Sequence, residues 1–68
     1  MKVQINGEQH ELPEGVTVEG LLERLSMKPD RVAVELNLSI LPRANWPGAL
    51  LREGDRLEIV HFVGGGST

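Results

Sequence analysis

The sequence predicts an α+β domain in which one main helix packs on one face of a mixed sheet of four to five strands. Three observations support this prediction. Strand-like and helix-like segments follow one another in the order strand, strand, helix, strand, short strand, strand. The 68 residues leave room for one domain only. The chain has no cysteine, so ordinary packing must hold the fold, without disulfides or a cysteine zinc site.

The N-terminal segment predicts a β-hairpin. Lys2–Ile5 alternates polar and apolar residues, which indicates a half-buried strand. Asn6-Gly7 follows, and this dipeptide suits the positive φ angles of a type I′ turn. Glu8–Leu12 is the predicted returning strand, and its polar residues favour a position at the sheet edge. Pro13–Gly15 is expected to end that strand.

An amphipathic helix is predicted next. Thr17 is suited to cap its N-terminus, and Glu19 in the first turn interacts favourably with the helix dipole. Apolar residues recur at the spacing of a stripe that faces the core: Val18, Leu21, Leu22 and Leu25. We expect Pro29 to end the helix, because it restricts Lys28 to non-helical backbone angles.

The middle of the chain predicts two further strands. Arg31–Leu36 is rich in apolar residues, which is typical of a well-covered strand. Asn37-Leu38 is expected to form the turn into a short strand, Ser39–Leu41.

The remaining part of the domain predicts an irregular connection and a final strand. Arg43–Leu51 is expected to be irregular or to form one helical turn, with Leu50 and Leu51 in the core. Glu53–Asp55 is a predicted turn, and Arg56–Val63 is the last strand.

Composition and charge argue against several classes of function. Seven basic and ten acidic residues give a net charge of −3 without a basic cluster, so we expect no nucleic-acid partner. His10 and His61 lack ligand spacing, so we expect no metal site. No apolar run has the length of a membrane span or the character of a signal peptide, which favours a cytoplasmic chain without a membrane partner.

The C-terminus holds the residues that are expected to carry chemistry. Gly64–Gly66 follow the last strand, and Ser67-Thr68 come after them. We predict a folded domain over 1–63 and a flexible glycine-rich tail over 64–68. Because glycine has no side chain, an extended diglycine can enter a channel too narrow for other residues. Composition alone favours a linker, so the tail needs support from the rest of the chain.

The last strand predicts a docking surface beside this tail. One set of alternate residues is Leu57, Ile59, His61 and Val63, and the other is Arg56, Glu58, Val60 and Phe62. The charged start of the second set indicates that it faces water. Val60 and Phe62 would then be exposed and, with Val63 and Gly64, would bind a partner. The alternative is a sheet covered on both faces, with Val60 and Phe62 in the core.

Three other residues have simpler structural interpretations. His61 has no evident nucleophile or carboxylate partner, so we interpret it as a packed or edge-exposed residue instead of a general base. Trp46 is expected to cover the core. Arg43 is expected to be solvated.

Several short motifs together resemble the ThiS sulfur carrier family. The segment Glu58–Gly66 is similar to the apolar strand and glycine run that end these proteins. Other shared features are the early Asn-Gly hairpin, Val-x-x-Leu-Leu from Val18, Val-Glu-Leu-Asn over Val34–Asn37, Pro42-Arg43 and Glu-Gly-Asp from Glu53. The resemblance covers nearly the whole chain and implies a ubiquitin-like β-grasp, with the first and last strands paired centrally. The related MoaD carriers tend to be longer and are the second choice.

The resemblance implies a protein that enzymes act on, and not an enzyme. A ThiF-like adenylyltransferase would use ATP to adenylate the carboxylate of Gly66, next to Gly65, and the carrier itself would bind no cofactor. A persulfide from a cysteine desulfurase or a rhodanese-like protein would supply sulfur and give a thiocarboxylate. A ThiG-like thiazole synthase would then use that sulfur for the thiazole ring of thiamin.

Ser67 and Thr68 depart from the family pattern, because an internal Gly66 has no free carboxylate. Either a processing protease removes them, or they are not native, or the chain has another function; we expect Gly66 to be the acceptor. The alternatives are a carrier for another sulfur-containing metabolite, a ubiquitin-like modifier joined to lysines, and a passive β-grasp interaction module with an inert tail.

Overall fold

A computed structural model describes residues 1–62, and residues 63–68 lie outside the described part. The strands are β1 (Lys2–Ile5), β2 (Glu8–Glu11), β3 (Val32–Leu36), β4 (Ser39–Ile40) and β5 (Arg56–His61). The α-helix is α1 (Val18–Arg24), and the two 3₁₀ segments are Pro29–Arg31 and Arg43–Gly48. The predicted boundary between a domain over 1–63 and a tail over 64–68 falls outside the described residues and stays a prediction.

The five strands form one mixed sheet in the order β2-β1-β5-β3-β4. Its two central strands, β1 and β5, are parallel, with Gln4 opposite Arg56 and Ile5 opposite Leu57. All other neighbours are antiparallel. The predicted α+β class and the central pairing of the first and last strands are therefore confirmed. The predicted edge position of the polar second strand is also confirmed.

Both hairpins turn through two residues in the left-handed backbone region. Asn6 and Gly7 have φ angles of 51° and 84°, as predicted for a type I′ turn. Asn37 and Leu38 have φ angles of 52° and 74°. Leucine is an unusual choice there, because its Cβ disfavours this region and glycine avoids the conflict.

The N-terminal end of α1 is capped as predicted. The Thr17 side-chain oxygen accepts a hydrogen bond from the Gly20 N–H at 3.1 Å. Val18, Leu21 and Leu22 are buried, and Leu25, just beyond the helix, is partly buried against the core. The helix thus presents its apolar stripe to the sheet.

The C-terminal end of α1 differs from the prediction. The helix ends at Arg24 and not at Pro29. Ser26 has a φ angle of 58°, and the Met27 N–H bonds back to the Leu22 carbonyl at 2.9 Å. This left-handed closure satisfies the last helical carbonyls before the proline is reached, so Pro29 instead begins a 3₁₀ turn.

The core lies between α1 and one face of the sheet, and the second 3₁₀ segment closes it. Its buried residues are Val3, Ile5, Leu12, Val18, Leu21, Leu22, Val32, Val34, Trp46, Leu51, Leu57 and Ile59. Trp46 covers the core as predicted, and its indole N–H donates to the Leu41 carbonyl at 2.9 Å. Arg43 is exposed, as predicted, and its guanidinium lies 5.7 Å from the centre of the Trp46 ring.

The prediction that Leu50 and Leu51 both enter the core is wrong for Leu50. Leu51 is 2% exposed, whereas Leu50 is 52% exposed. Leu50 forms an isolated antiparallel bridge with Thr17, and the Leu51 N–H bonds to the Val16 carbonyl at 2.9 Å. The backbone is extended there, so successive side chains point to opposite sides and only one can be buried. Within residues 1–62, no helix has the length and apolar character needed to cross a membrane.

Candidate functional site: the outer face of the sheet

The sheet face that points away from α1 is the candidate docking surface, and we call it the outer face. Along β5, buried Leu57 and Ile59 alternate with exposed Arg56, Glu58 and Val60. The predicted alternation is therefore confirmed over residues 56–60, whereas His61, predicted on the face of Leu57 and Ile59, is exposed at the end of the strand. β5 is the strand that leads into the glycines, so its outer face is the surface nearest to them in the chain.

Exposed apolar side chains lie near the C-terminal end of β5. Val60 is 59% exposed and Phe62 is 54% exposed. The alternative in which they belong to the core is wrong. Their exposure is confirmed, whereas their binding of a partner stays a prediction. The other two predicted docking residues, Val63 and Gly64, and the predicted acceptor residues, Gly65 and Gly66, lie outside the described residues.

Ile40 belongs to the same surface, although the sequence did not predict it there. It is 76% exposed. It lies opposite Glu35 of β3, whose outward neighbour Ala33 lies opposite Val60. A shallow groove of about 200 Å³ is lined by Val32, Ala33, Val34, Ile40, Leu41, Pro42, Arg43, Trp46 and Phe62. A two-residue strand is too short to show alternation, so the sequence carries no signal for the direction of the Ile40 side chain.

Two asparagines from the hairpin turns hold β5 in place. Asn6 Oδ1 accepts from the Ile59 N–H at 2.7 Å, and Asn6 Nδ2 donates to the Ile59 carbonyl at 3.2 Å. Asn37 Oδ1 accepts from the Arg56 N–H at 3.0 Å. The Phe62 N–H donates to the Arg31 carbonyl at 2.8 Å. The strand is thus fixed by hydrogen bonds up to the last described residue.

A known protein family matches this chain over nearly its whole length, including the three glycines. Residues 3–66 match the model of the ThiS family. The chain belongs to the ThiS family.

Individual relatives agree with this membership. This ThiS-family chain is similar to the crystal structure of thiamine biosynthesis protein ThiS from Geobacter metallireducens. The TM-score is 0.83 at 32% identity, over 97% of this chain and 100% of that one. This chain is also 29% identical to the sulfur carrier protein ThiS of Escherichia coli, over 97% of this chain and 100% of that protein. The fold is therefore the ubiquitin-like β-grasp that the resemblance implied.

A third relative is a much longer protein. The chain is 46% identical to a thiazole synthase of Magnetococcus marinus over 66 residues, which are 97% of this chain and 20% of that protein. The chain therefore spans about a fifth of the length of that relative.

The remaining residues considered from the sequence form no second site within residues 1–62. His61, interpreted as a packed or edge-exposed residue, is exposed at the end of the central strand β5, and none of the ion pairs in this part of the chain includes it. No group of three His, Cys, Asp or Glu residues in the described ThiS-family domain is arranged to hold a metal ion.

Proposed function

We propose that this ThiS-family chain is a sulfur carrier for the thiazole ring of thiamin. The observation that carries the proposal is the family match over residues 3–66, which ends at the last of the three glycines. The relative from Escherichia coli is named a sulfur carrier protein, and the one from Magnetococcus marinus is named a thiazole synthase. The first name fits a protein that enzymes act on, and the second fits delivery of its sulfur to thiazole synthesis.

The proposed reaction begins at the Gly66 carboxylate, next to Gly65. One carboxylate oxygen attacks the α-phosphorus of ATP in a ThiF-like adenylyltransferase, and pyrophosphate leaves. The resulting acyl-adenylate has AMP as its leaving group, which a free carboxylate lacks. ATP is bound by that enzyme, and the carrier itself needs no bound cofactor.

Sulfur then enters from a protein persulfide on a cysteine desulfurase or a rhodanese-like protein. The terminal persulfide sulfur attacks the acyl carbon and displaces AMP. A second thiol reduces the acyl disulfide that forms, which releases the thiocarboxylate. A ThiG-like thiazole synthase receives this nucleophilic sulfur.

In the reacting form Gly66 is the last residue, because only a terminal glycine has a free carboxylate. A processing protease that removes Ser67-Thr68 would supply this form. The exposed side chains of Val60 and Phe62, together with Val63 and Gly64, are proposed to dock on the adenylyltransferase while the glycines enter its active site.

Intact mass spectrometry tests the proposal. A chain ending at Gly66, the full chain and a chain ending at Gly64 are each incubated with ATP, a ThiF-like adenylyltransferase and a persulfide donor. We expect only the chain ending at Gly66 to gain the mass of an oxygen-to-sulfur replacement. The sulfur carrier protein ThiS of Escherichia coli serves as the positive control.

Two results would contradict the proposal. If the control protein reacts and the chain ending at Gly66 does not, this chain is not a sulfur carrier. If the activated chain is instead recovered as high-mass conjugates on lysines, it is a ubiquitin-like modifier.

A further inference from the structure

Two carboxylates lie directly opposite each other on the outer face. Glu35 of β3 pairs with Glu58 of β5 in the antiparallel register. Glu58 lies between buried Leu57 and Ile59, and Glu35 follows buried Val34, so both side chains point away from the core. Opposite residues in such a pair have Cβ atoms about 5 Å apart, and like charges there repel each other. We call these two residues the carboxylate pair.

Among residues 1–62, no cation lies within 4.0 Å of either carboxylate to offset this repulsion. The ion pairs within 4.0 Å in residues 1–62 involve only the Met1 amino group, His10 and their glutamate partners. Arg56 lies on the same face two positions before Glu58, yet it forms no ion pair within that distance with either member. The sequence thus places two uncompensated charges on adjacent strands.

The carboxylate pair also borders the exposed apolar side chains. Ile40 lies opposite Glu35 on the other side of β3, so Ile40, Glu35 and Glu58 form one row across three strands. The next outward-facing row consists of Ala33 and Val60. A partner that covers the apolar residues would also cover the two carboxylates and remove them from water.

We propose that the carboxylate pair binds a lysine or arginine of the adenylyltransferase, in the same contact that buries Ile40, Val60 and Phe62. A cation between the two carboxylates attracts both and offsets their mutual repulsion, and the planar guanidinium of arginine has donors enough for both. Apolar burial without such a cation would leave two charges desolvated, which is unfavourable. This inference rests on the proposed function, because it names how that enzyme recognises the carrier.

The distance along the chain supports this choice of partner. Gly66 is four residues beyond Phe62, and four extended residues reach at most about 14 Å. An enzyme that holds the Gly66 carboxylate in its active site therefore lies close to Phe62. The row that contains the carboxylate pair is then within reach of the surface of that enzyme.

Initial rates of pyrophosphate release test the inference, with the chain ending at Gly66 as the varied substrate. We expect Glu35→Gln and Glu58→Gln each to raise KM about two- to fivefold, the range of an exposed ion pair, and to leave kcat unchanged. Glu58→Lys places a lysine next to the proposed cation of the enzyme, and the repulsion should raise KM roughly tenfold or more. Added salt should raise the KM of the chain with both glutamates more than that of the variant that carries Glu35→Gln and Glu58→Gln together.

Glu23→Gln and Glu23→Lys are the matched controls, because Glu23 is exposed on α1 and away from the sheet. They change the net charge equally and should leave KM unchanged. If the Glu58 and Glu23 variants behave alike, the carboxylate pair does not contact the enzyme, although the proposed function still stands. If the unchanged chain releases no pyrophosphate, the proposed function itself fails. Circular dichroism of each variant verifies that it is folded.

Discussion

The side chain of Asn6 hydrogen bonds to both backbone polar groups of Ile59, which lies 53 positions further along the chain. β1 ends at Ile5, so no β1 backbone is available to pair with Ile59 on that side. The Asn6 carboxamide takes over this pairing, because it offers one acceptor and one donor, as a peptide group does. The turn that closes the first hairpin therefore also completes the central strand.

Substitution Asn6→Gly should lower the free energy of unfolding by about 1–3 kcal/mol, because two part-buried backbone groups lose their partners. Glycine keeps the positive φ angle, so the loss reports the side-chain bonds and not the turn. Urea denaturation measures the change. Hydrogen exchange of the Ile59 amide should accelerate as well, and an unchanged exchange rate would show that water replaces the asparagine.

The second hairpin turn contains a testable conflict at Leu38. This residue is 79% exposed and has a φ angle of 74°. Leu38→Gly should raise the free energy of unfolding by about 0.5–1 kcal/mol, because it removes the left-handed penalty and little burial is lost. Gly7→Leu creates the same conflict at the matching position of the first turn and should lower stability by about 1 kcal/mol. Thermal unfolding of both variants provides the comparison.

The carboxylate pair should lower the stability of the free domain. Glu58→Gln removes one of the two like charges and should raise the free energy of unfolding by roughly 0.2–1 kcal/mol at low salt. The gain should shrink at high salt because ions screen the repulsion. Glu23→Gln is the reference, and an equal gain from it would show that net charge alone is responsible. If Glu58→Gln raises both the free energy of unfolding and the KM for adenylation, its effect on the enzyme cannot come from a loss of folding.

The exposed apolar residues should contribute to docking and little to folding. Phe62→Ser should change the free energy of unfolding by less than about 0.5 kcal/mol, as is usual for surface positions. It should raise the KM for adenylation roughly tenfold or more, as expected for an aromatic residue at an interface centre. Leu50→Ser is the control, since Leu50 has a similar exposure but lies next to Thr17, away from the outer face. Equal KM values for the two variants would rule out docking through Phe62.

The fold was predictable wherever the sequence shows a clear period or a specific turn signal. The alternation in β5 and the stripe from Val18 in α1 predicted the buried side chains of both elements except at their C-terminal ends, because burial on one face leaves a regular pattern. Asn6-Gly7 predicted its turn because few other residues adopt two successive positive φ angles.

The errors fall where local sequence leaves several outcomes open. The helix end at Arg24 depends on Ser26 adopting a left-handed conformation, which serine does not signal. The outward direction of Leu50 depends on a bridge to Thr17, which is a tertiary contact. Ile40 and the carboxylate pair depend on strand register, and a shift of one residue would reverse the faces.

Because β1 and β5 pair in parallel at the centre of the sheet, the domain can fold only when both strands are present. β1 precedes β5 in the chain, and the middle of the sheet cannot form until β5 has been made. Contacts between such distant positions form late and make folding slow relative to that of locally connected chains. A chain that still lacks β5 therefore has no organised outer face.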